Sequence, residues 1–358
     1  MSNFIAGFAG GCSDTARVVL LAAALASISS GDLHAEEPTP LWTYVPTTIS
    51  PEWGPVLAES GKNRELRAPA PEDIDAWKKF QEAVNQPGEA AAKYIAMAFD
   101  VTFSEMELGG VPVIEIVPKT LASKDKIAVY THGGAYVAGT AKATINDSGL
   151  FASSIGLKVI SIDYTLAPHS KWQETTDEVV TVFKALVEQG YSMKNIVIYG
   201  DSAGGGLAAG SVLKMRDLGI GMPAAVVLWS PWADITETGD TYVTLRDAEP
   251  TYTYTTLLGP SALAYASSSD QKQPYVSPVY GDFTKGFPPT LIQGGTKEIF
   301  LSNFIRLYQA IDQAGQSVKL DLYEGMPHVF QHKLPNSAEA GIAMGKVRDF
   351  VKRHLIEQ

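Results

Sequence analysis

The chain has 358 residues, 45% of them hydrophobic and 19% charged. That composition supplies a large core and excludes a disordered or coiled-coil protein. The net charge of -11 repels phosphate backbones and anionic lipid, so no nucleic-acid partner is expected. The single cysteine, Cys12, excludes an intramolecular disulfide and a multi-cysteine zinc site. Length predicts two domains of about 150 residues, or one embellished α/β domain.

Arg17 precedes an apolar run at residues 18–28, and small and polar residues follow up to Ala35. This has the shape of a secretory signal cut after Ala35, although Asp14 and the large Leu33 fit that shape poorly. Cleavage would make the chain periplasmic or secreted; without it the chain would be cytoplasmic. The alternative for residues 1–35 is an amphipathic helix packed on the body. An apolar run of this length falls short of the ~20 residues that span a bilayer, so no stable membrane anchor is expected.

Residues 39–71 are rich in Pro, Trp and Gly. Pro71, Glu72, Asp73 and Asp75 then open a helical stretch to Val84, with acidic residues where the helix dipole favours them. Pro87-Gly88 is expected to break it before a second helix at residues 89–98. Residues 101–103 and 111–116 read as strands joined across Gly109-Gly110.

From there short apolar runs alternate with helical patterns. The runs are Ile127–Thr131, Lys158–Ile162, residues 196–199, Ala225–Trp229 and residues 290–293, and Val318–Tyr323 is the last strand expected. Continuous apolar strands suit a parallel sheet buried on both faces. Helices are expected at residues 177–188, 203–218, 302–314 and 338–355. The alternation predicts an α/β fold. Residues 232–275 show no strand and abound in Tyr, Thr and Ser. The domain reading is a catalytic core at 101–230 and 276–358, with residues 36–100 and an insertion at 231–275 forming a cap.

Gly200-Asp201-Ser202-Ala203-Gly204 fits G-x-S-x-G between a strand and a small-residue helix. There the turn needs small neighbours, and the helix N-terminus aims N–H groups at charge developing beside Ser202. His132-Gly133-Gly134-Ala135 follows an upstream strand, where glycines can expose N–H groups to an oxyanion. In such a fold the base follows the serine in the chain. His328 lies just after the strand Val318–Tyr323, where the base is expected. For His332 and His354 a solvated position is the ordinary expectation. Asp201 is expected to fix the turn by hydrogen bonds. Asp163 and Asp177 are expected to be structural, and Tyr136 to line the pocket or the core. There is no H-E-x-x-H and no P-loop, so no metal and no cofactor are expected.

These motifs resemble the bacterial hormone-sensitive-lipase family of α/β-hydrolases. The likeness continues through Asp163-Tyr164-Thr165-Leu166-Ala167-Pro168, Ser230-Pro231-Trp232-Ala233-Asp234 and Gly325-Met326-Pro327-His328-Val329-Phe330. It runs from about residue 100 to the C-terminus, and the C-terminal blocks look most like monoterpene ε-lactone hydrolase-like esterases. The resemblance implies an α/β-hydrolase fold, a mostly parallel sheet flanked by helices under a helical cap. It also implies a serine carboxylesterase acting on short- to medium-chain esters, with Ser202, His328 and an acid. The family usually has an aspartate where this sequence has Glu298. His132 corresponds to a histidine that holds the oxyanion loop, whose donors would be Gly133, Gly134, Ala135 and Ala203. The partner expected is a small-molecule ester, and a homodimer is compatible with the sequence. The alternatives are a lactonase or amidase on the same triad, or a catalytically silent ligand-binding protein on the same fold.

Overall fold

The computed structural model describes residues 39–356. The signal reading of residues 1–35, with Cys12 and Arg17, lies outside the described residues. Eight strands form one sheet: β1 (Val101–Leu108), β2 (Val111–Pro118), β3 (Ile127–Thr131), β4 (Lys158–Ile162), β5 (Ile196–Asp201), β6 (Ala225–Trp229), β7 (Thr290–Gly295) and β8 (Val318–Tyr323). Their order is β1-β2-β4-β3-β5-β6-β7-β8. The pairs β1–β2 and β2–β4 are antiparallel, and the rest are parallel.

The helices are α1 (Trp53–Ser60), α2 (Ile74–Ala98), α3 (Ile145–Ile155), α4 (Trp172–Glu188), α5 (Ser202–Asp217), α6 (Thr241–Thr244), α7 (Gly259–Tyr265), α8 (Leu301–Gln313), α9 (Phe330–Lys333) and α10 (Ala338–Val351). Every residue of β3, β5 and β6 is buried, because helices cover both faces. Successive side chains alternate between those faces. Ile127, Val129, Ile196, Ile198, Val226 and Leu228 join a core with α4, α5 and α8. Ala128, Tyr130, Val197, Tyr199, Val227 and Trp229 join another with α3 and α10. Each large apolar side chain so buried contributes about 1.5–3 kcal/mol.

One expectation is corrected. Residues 74–98 form a single helix with Pro87 inside it, not two helices broken at Pro87-Gly88. Tertiary contacts outweigh the missing N–H at Pro87. A Cβ on Gly88 would lie 2.5 Å from the Ala143 carbonyl oxygen, so the glycine permits a close approach there. Two residues before the proline, Asn85 Oδ1 accepts the Gly139 N–H at 2.8 Å. α1 and α3 were not expected. α3 carries Asp147, Ser148 and Gly149 buried beside Leu150 and Phe151, so it has no polar face to mark it in sequence.

No strand forms between β6 and β7; α6, a π-turn at Tyr254–Leu258 and α7 occupy that stretch. It meets the chain before β1 directly. Ala68 N–H donates to Thr256 O at 2.9 Å, and Arg64 donates to the carbonyls of Arg246 and Glu249.

Candidate active site

β5 runs straight into α5, and Ser202 opens the helix at φ 53°. Left-handed backbone is costly for a residue with a Cβ and persists where packing over-determines it. The packing is visible at Gly204, where a Cβ would come within 2.0 Å of Thr131 O and 2.4 Å of His132 O. The elbow therefore presses directly on the end of β3.

The loop after β3 turns sharply through Gly134, Ala135 and Tyr136, with φ of 114°, 55° and 65°. A Cβ on Gly134 would lie 2.0 Å from Ala138 O. Asp201 reaches across from the elbow: its Oδ1 accepts the Gly133 N–H at 2.9 Å and the Tyr130 hydroxyl at 2.5 Å. Its bonds thus fix the neighbouring loop, where sequence reasoning had them fixing the serine's own turn. They also correct one expected oxyanion donor, since the Gly133 N–H is already engaged. The Gly134 and Ala135 N–H groups make no hydrogen bond among the described residues.

His132 Nδ1–H donates to Gly133 O at 2.8 Å, and its ring stacks 4.1 Å from Tyr164, whose hydroxyl donates to His132 O. Burial holds this imidazole below its ordinary value, which suits a fixed strut. Tyr136 belongs to the core, stacked 3.7 Å from Tyr265. Asp163 Oδ1 takes the Ala141 N–H at 2.8 Å, and Asp177 pairs with Lys214.

His328 and Glu298 come together from two loops. His328 follows β8, Glu298 follows β7, and His328 Nδ1 lies 2.6 Å from Glu298 Oε2. Glu298 is fully buried, and its other oxygen accepts from Ser230 Oγ at 2.7 Å and Gly295 N–H at 2.6 Å. The longer side chain reaches the imidazole without strain visible in these distances. Burial lowers His328, keeping it in the neutral form that a base requires. Burial raises Glu298, while the Gly295 and Ser230 bonds pull the other way.

A cavity of about 380 Å³ holds both Ser202 and His328. Gly134, Ala135, Val137 and Ala138 line it, and Leu66, Phe80, Val84, Leu257 and Leu258 give it apolar walls. Those walls come from the segments before β1 and after β6.

Sequence reasoning missed four neighbours. Tyr252 lines the cavity with its hydroxyl 2.8 Å from His328 Nδ1, and Glu249 is buried beside it. Both lie in the stretch without periodicity, which offered no signal. His332 is no solvated surface residue: it lines the cavity and pairs with the buried Asp147 at 2.6 Å. Its spacing of four from His328 was the available hint.

A family profile described as alpha/beta hydrolase fold matches residues 128–332. An acetyl-hydrolase of Streptomyces hygroscopicus is 34% identical over 202 residues, 56% of this chain and 67% of that protein. An esterase of Acinetobacter venetianus is 34% identical over 259 residues, 70% of this chain and 82% of that protein. The crystal structure of an esterase from the bacterial hormone-sensitive lipase family superposes with a TM-score of 0.75 at 27% identity, covering 86% of this chain and 99% of that one. The profile, the relatives, the strand order and the serine elbow agree: this chain belongs to the α/β-hydrolase fold family, in its bacterial hormone-sensitive-lipase branch.

Proposed function

We propose that this chain is a serine carboxylic-ester hydrolase that cleaves short- to medium-chain esters through an acyl-enzyme on Ser202. The observation that carries this is the meeting of Ser202 and the Glu298-backed His328 in one largely apolar cavity. The names of the relatives, esterase and acetyl-hydrolase, support the same chemistry.

In this reading Ser202 Oγ attacks the ester carbonyl carbon as its proton passes to His328 Nε2. The carbonyl oxygen becomes an oxyanion and takes hydrogen bonds from the N–H groups of Gly134, Ala135 and Ala203, at the positive end of α5. Glu298 keeps the proton on Nδ1 and stabilises the imidazolium. Collapse breaks the bond to the alkoxy oxygen, which leaves as the alcohol with the proton from Nε2. Water then gives a proton to His328 as it attacks the acyl carbon, and the bond to Ser202 Oγ breaks, Oγ taking that proton back from Nε2 as the acid is released.

The segments before β1 and between β6 and β7 act as the cap. Their apolar side chains exclude water and strengthen every charge interaction below them. At about 380 Å³ the cavity lies near the small end of the ~300–1,000 Å³ range of ligand sites, which favours short and medium acyl groups.

The test is hydrolysis of p-nitrophenyl esters of increasing acyl length by wild type and Ser202→Ala. The expected result is a short-chain optimum that disappears in the folded variant. Retained activity in Ser202→Ala would reject the nucleophile, and silence of the wild type at every length would reject the esterase reading.

A further inference from the structure

His328 Nδ1 has two oxygen neighbours, Glu298 Oε2 at 2.6 Å and the Tyr252 hydroxyl at 2.8 Å. A carboxylate can only accept, so the single Nδ1 proton points to Glu298, and the phenol oxygen meets it as a second acceptor. The hydroxyl has no other hydrogen-bond partner among the described residues. Its ring stands edge-on to His328 at 4.8 Å and leans on Phe300 at 5.2 Å.

Glu249 fastens this arrangement. It is fully buried, and its carboxylate accepts the Thr251 N–H at 2.7 Å and the Ile299 N–H at 3.2 Å. Ile299 directly follows the acid. One buried carboxylate thus ties the turn that carries Tyr252 to the loop that carries Glu298.

We propose that Tyr252 is a positioning residue for His328, sharing the Nδ1 proton with Glu298 and coupling the base to the cap segment that walls the cavity. The proposal rests on the reading of Ser202 and His328 as nucleophile and base. When the Ser202 proton reaches Nε2, the Nδ1–H of the imidazolium faces a carboxylate and a phenol oxygen together. The phenol stays neutral, because burial raises it far above its ordinary value, and no proton leaves Nδ1.

Other charges also reach His328: Glu249 from the cap segment, Lys333 and His332 from α9, and Asp147 from α3. All of them remain in Tyr252→Phe, which keeps the ring and removes only the hydroxyl. A moved pH midpoint in that variant therefore reports the hydroxyl.

The experiment is the pH profile of kcat/KM on p-nitrophenyl acetate and butyrate for wild type, Tyr252→Phe, Glu249→Gln, the double variant and Ser202→Ala. Thermal melts of each establish that it is folded. Tyr252→Phe is expected to lower kcat roughly three- to tenfold with KM nearly unchanged, and to move the acid-limb midpoint down by about half to one unit, since a bond favouring the imidazolium is gone. Glu249→Gln loses one acceptor and should act in the same direction, with a smaller effect once Tyr252 is Phe. An unchanged profile in Tyr252→Phe overturns the proposal. So does a midpoint that rises with a faster kcat, which would mean that the phenol donates to Nδ1 and holds the unproductive tautomer. Fully additive effects overturn the link through Glu249. An inactive wild type, or an active Ser202→Ala, would instead reject the underlying reading.

Discussion

The hydroxyl of Ser230 donates to Glu298 Oε1 at 2.7 Å while accepting the Val329 N–H at 3.0 Å. Val329 directly follows His328, so one buried hydroxyl holds the acid and the chain carrying the base in register. Ser230→Ala should leave the Val329 N–H unpaired and remove a donor from Glu298. The loss of stability should be about 1–3 kcal/mol, the usual range for a buried group left unsatisfied. kcat should fall by about tenfold with little change in KM, because the interaction acts on the imidazole and not on bound ester. Urea unfolding and initial-rate kinetics on the same preparation check both. An unaltered kcat would mean that Gly295 N–H alone suffices to aim Glu298.

Gly204→Ala tests the elbow from beneath. The new methyl would lie 2.0 Å from Thr131 O and 2.4 Å from His132 O, and neither backbone atom belongs to a flexible side chain. Either α5 shifts and carries Ser202 with it, or β3 and the oxyanion loop give way. Both lose activity, and the cost in stability should exceed about 3 kcal/mol, the scale of severe overpacking. Soluble yield and melting temperature report it. A variant as stable and active as wild type would show that the two elements are not pressed together.

The parts of this fold that were legible are those where one force decides. β3, β4 and β6 end where their apolar runs end, since burial on both faces leaves few polar residues to blur the edge. Ser202 and His328 were legible because backbone geometry demands their glycine-rich or post-strand settings. Glu298 needed the resemblance, as nothing local marks one carboxylate as the acid. α2 passed through Pro87 because contacts of Gly88 and Asn85 with residues 139–143 outweigh a local rule. Tyr252 and Glu249 were invisible for a related reason: Tyr252 reaches its partner 76 residues away, and no local period encodes that distance.

Asp201 gives a pH dependence whose sign follows from its burial. Desolvation raises its carboxyl from 3.8 to about 7, ahead of the opposing bonds from Tyr130 and Gly133. The native state therefore keeps this proton where the unfolded chain has lost it. The resulting stability is full below about pH 4 and disappears as the pH rises through about 7. Asp201→Asn cannot ionise and still presents an oxygen to Gly133. Its stability relative to wild type should grow between pH 4 and pH 8, which urea midpoints at the two ends measure. A constant difference would mean that Asp201 is ionised throughout in the folded protein.

His332 and Asp147 make the last prediction. The pair lies 2.6 Å apart, with the carboxylate buried and the imidazole side chain 22% exposed at the cavity. Removing the histidine alone leaves the buried Asp147 without its ion-pair partner among the described residues. His332→Ala should therefore cost about 1–3 kcal/mol, and Asp147→Ala should add little once the histidine is gone. The same His332→Ala enlarges the space next to Ser202, so the p-nitrophenyl ester optimum should move toward longer acyl chains. The two readouts separate the roles. Additive stability losses would show that the pair is not coupled, and an unmoved chain-length optimum would show that the acyl group does not extend toward His332.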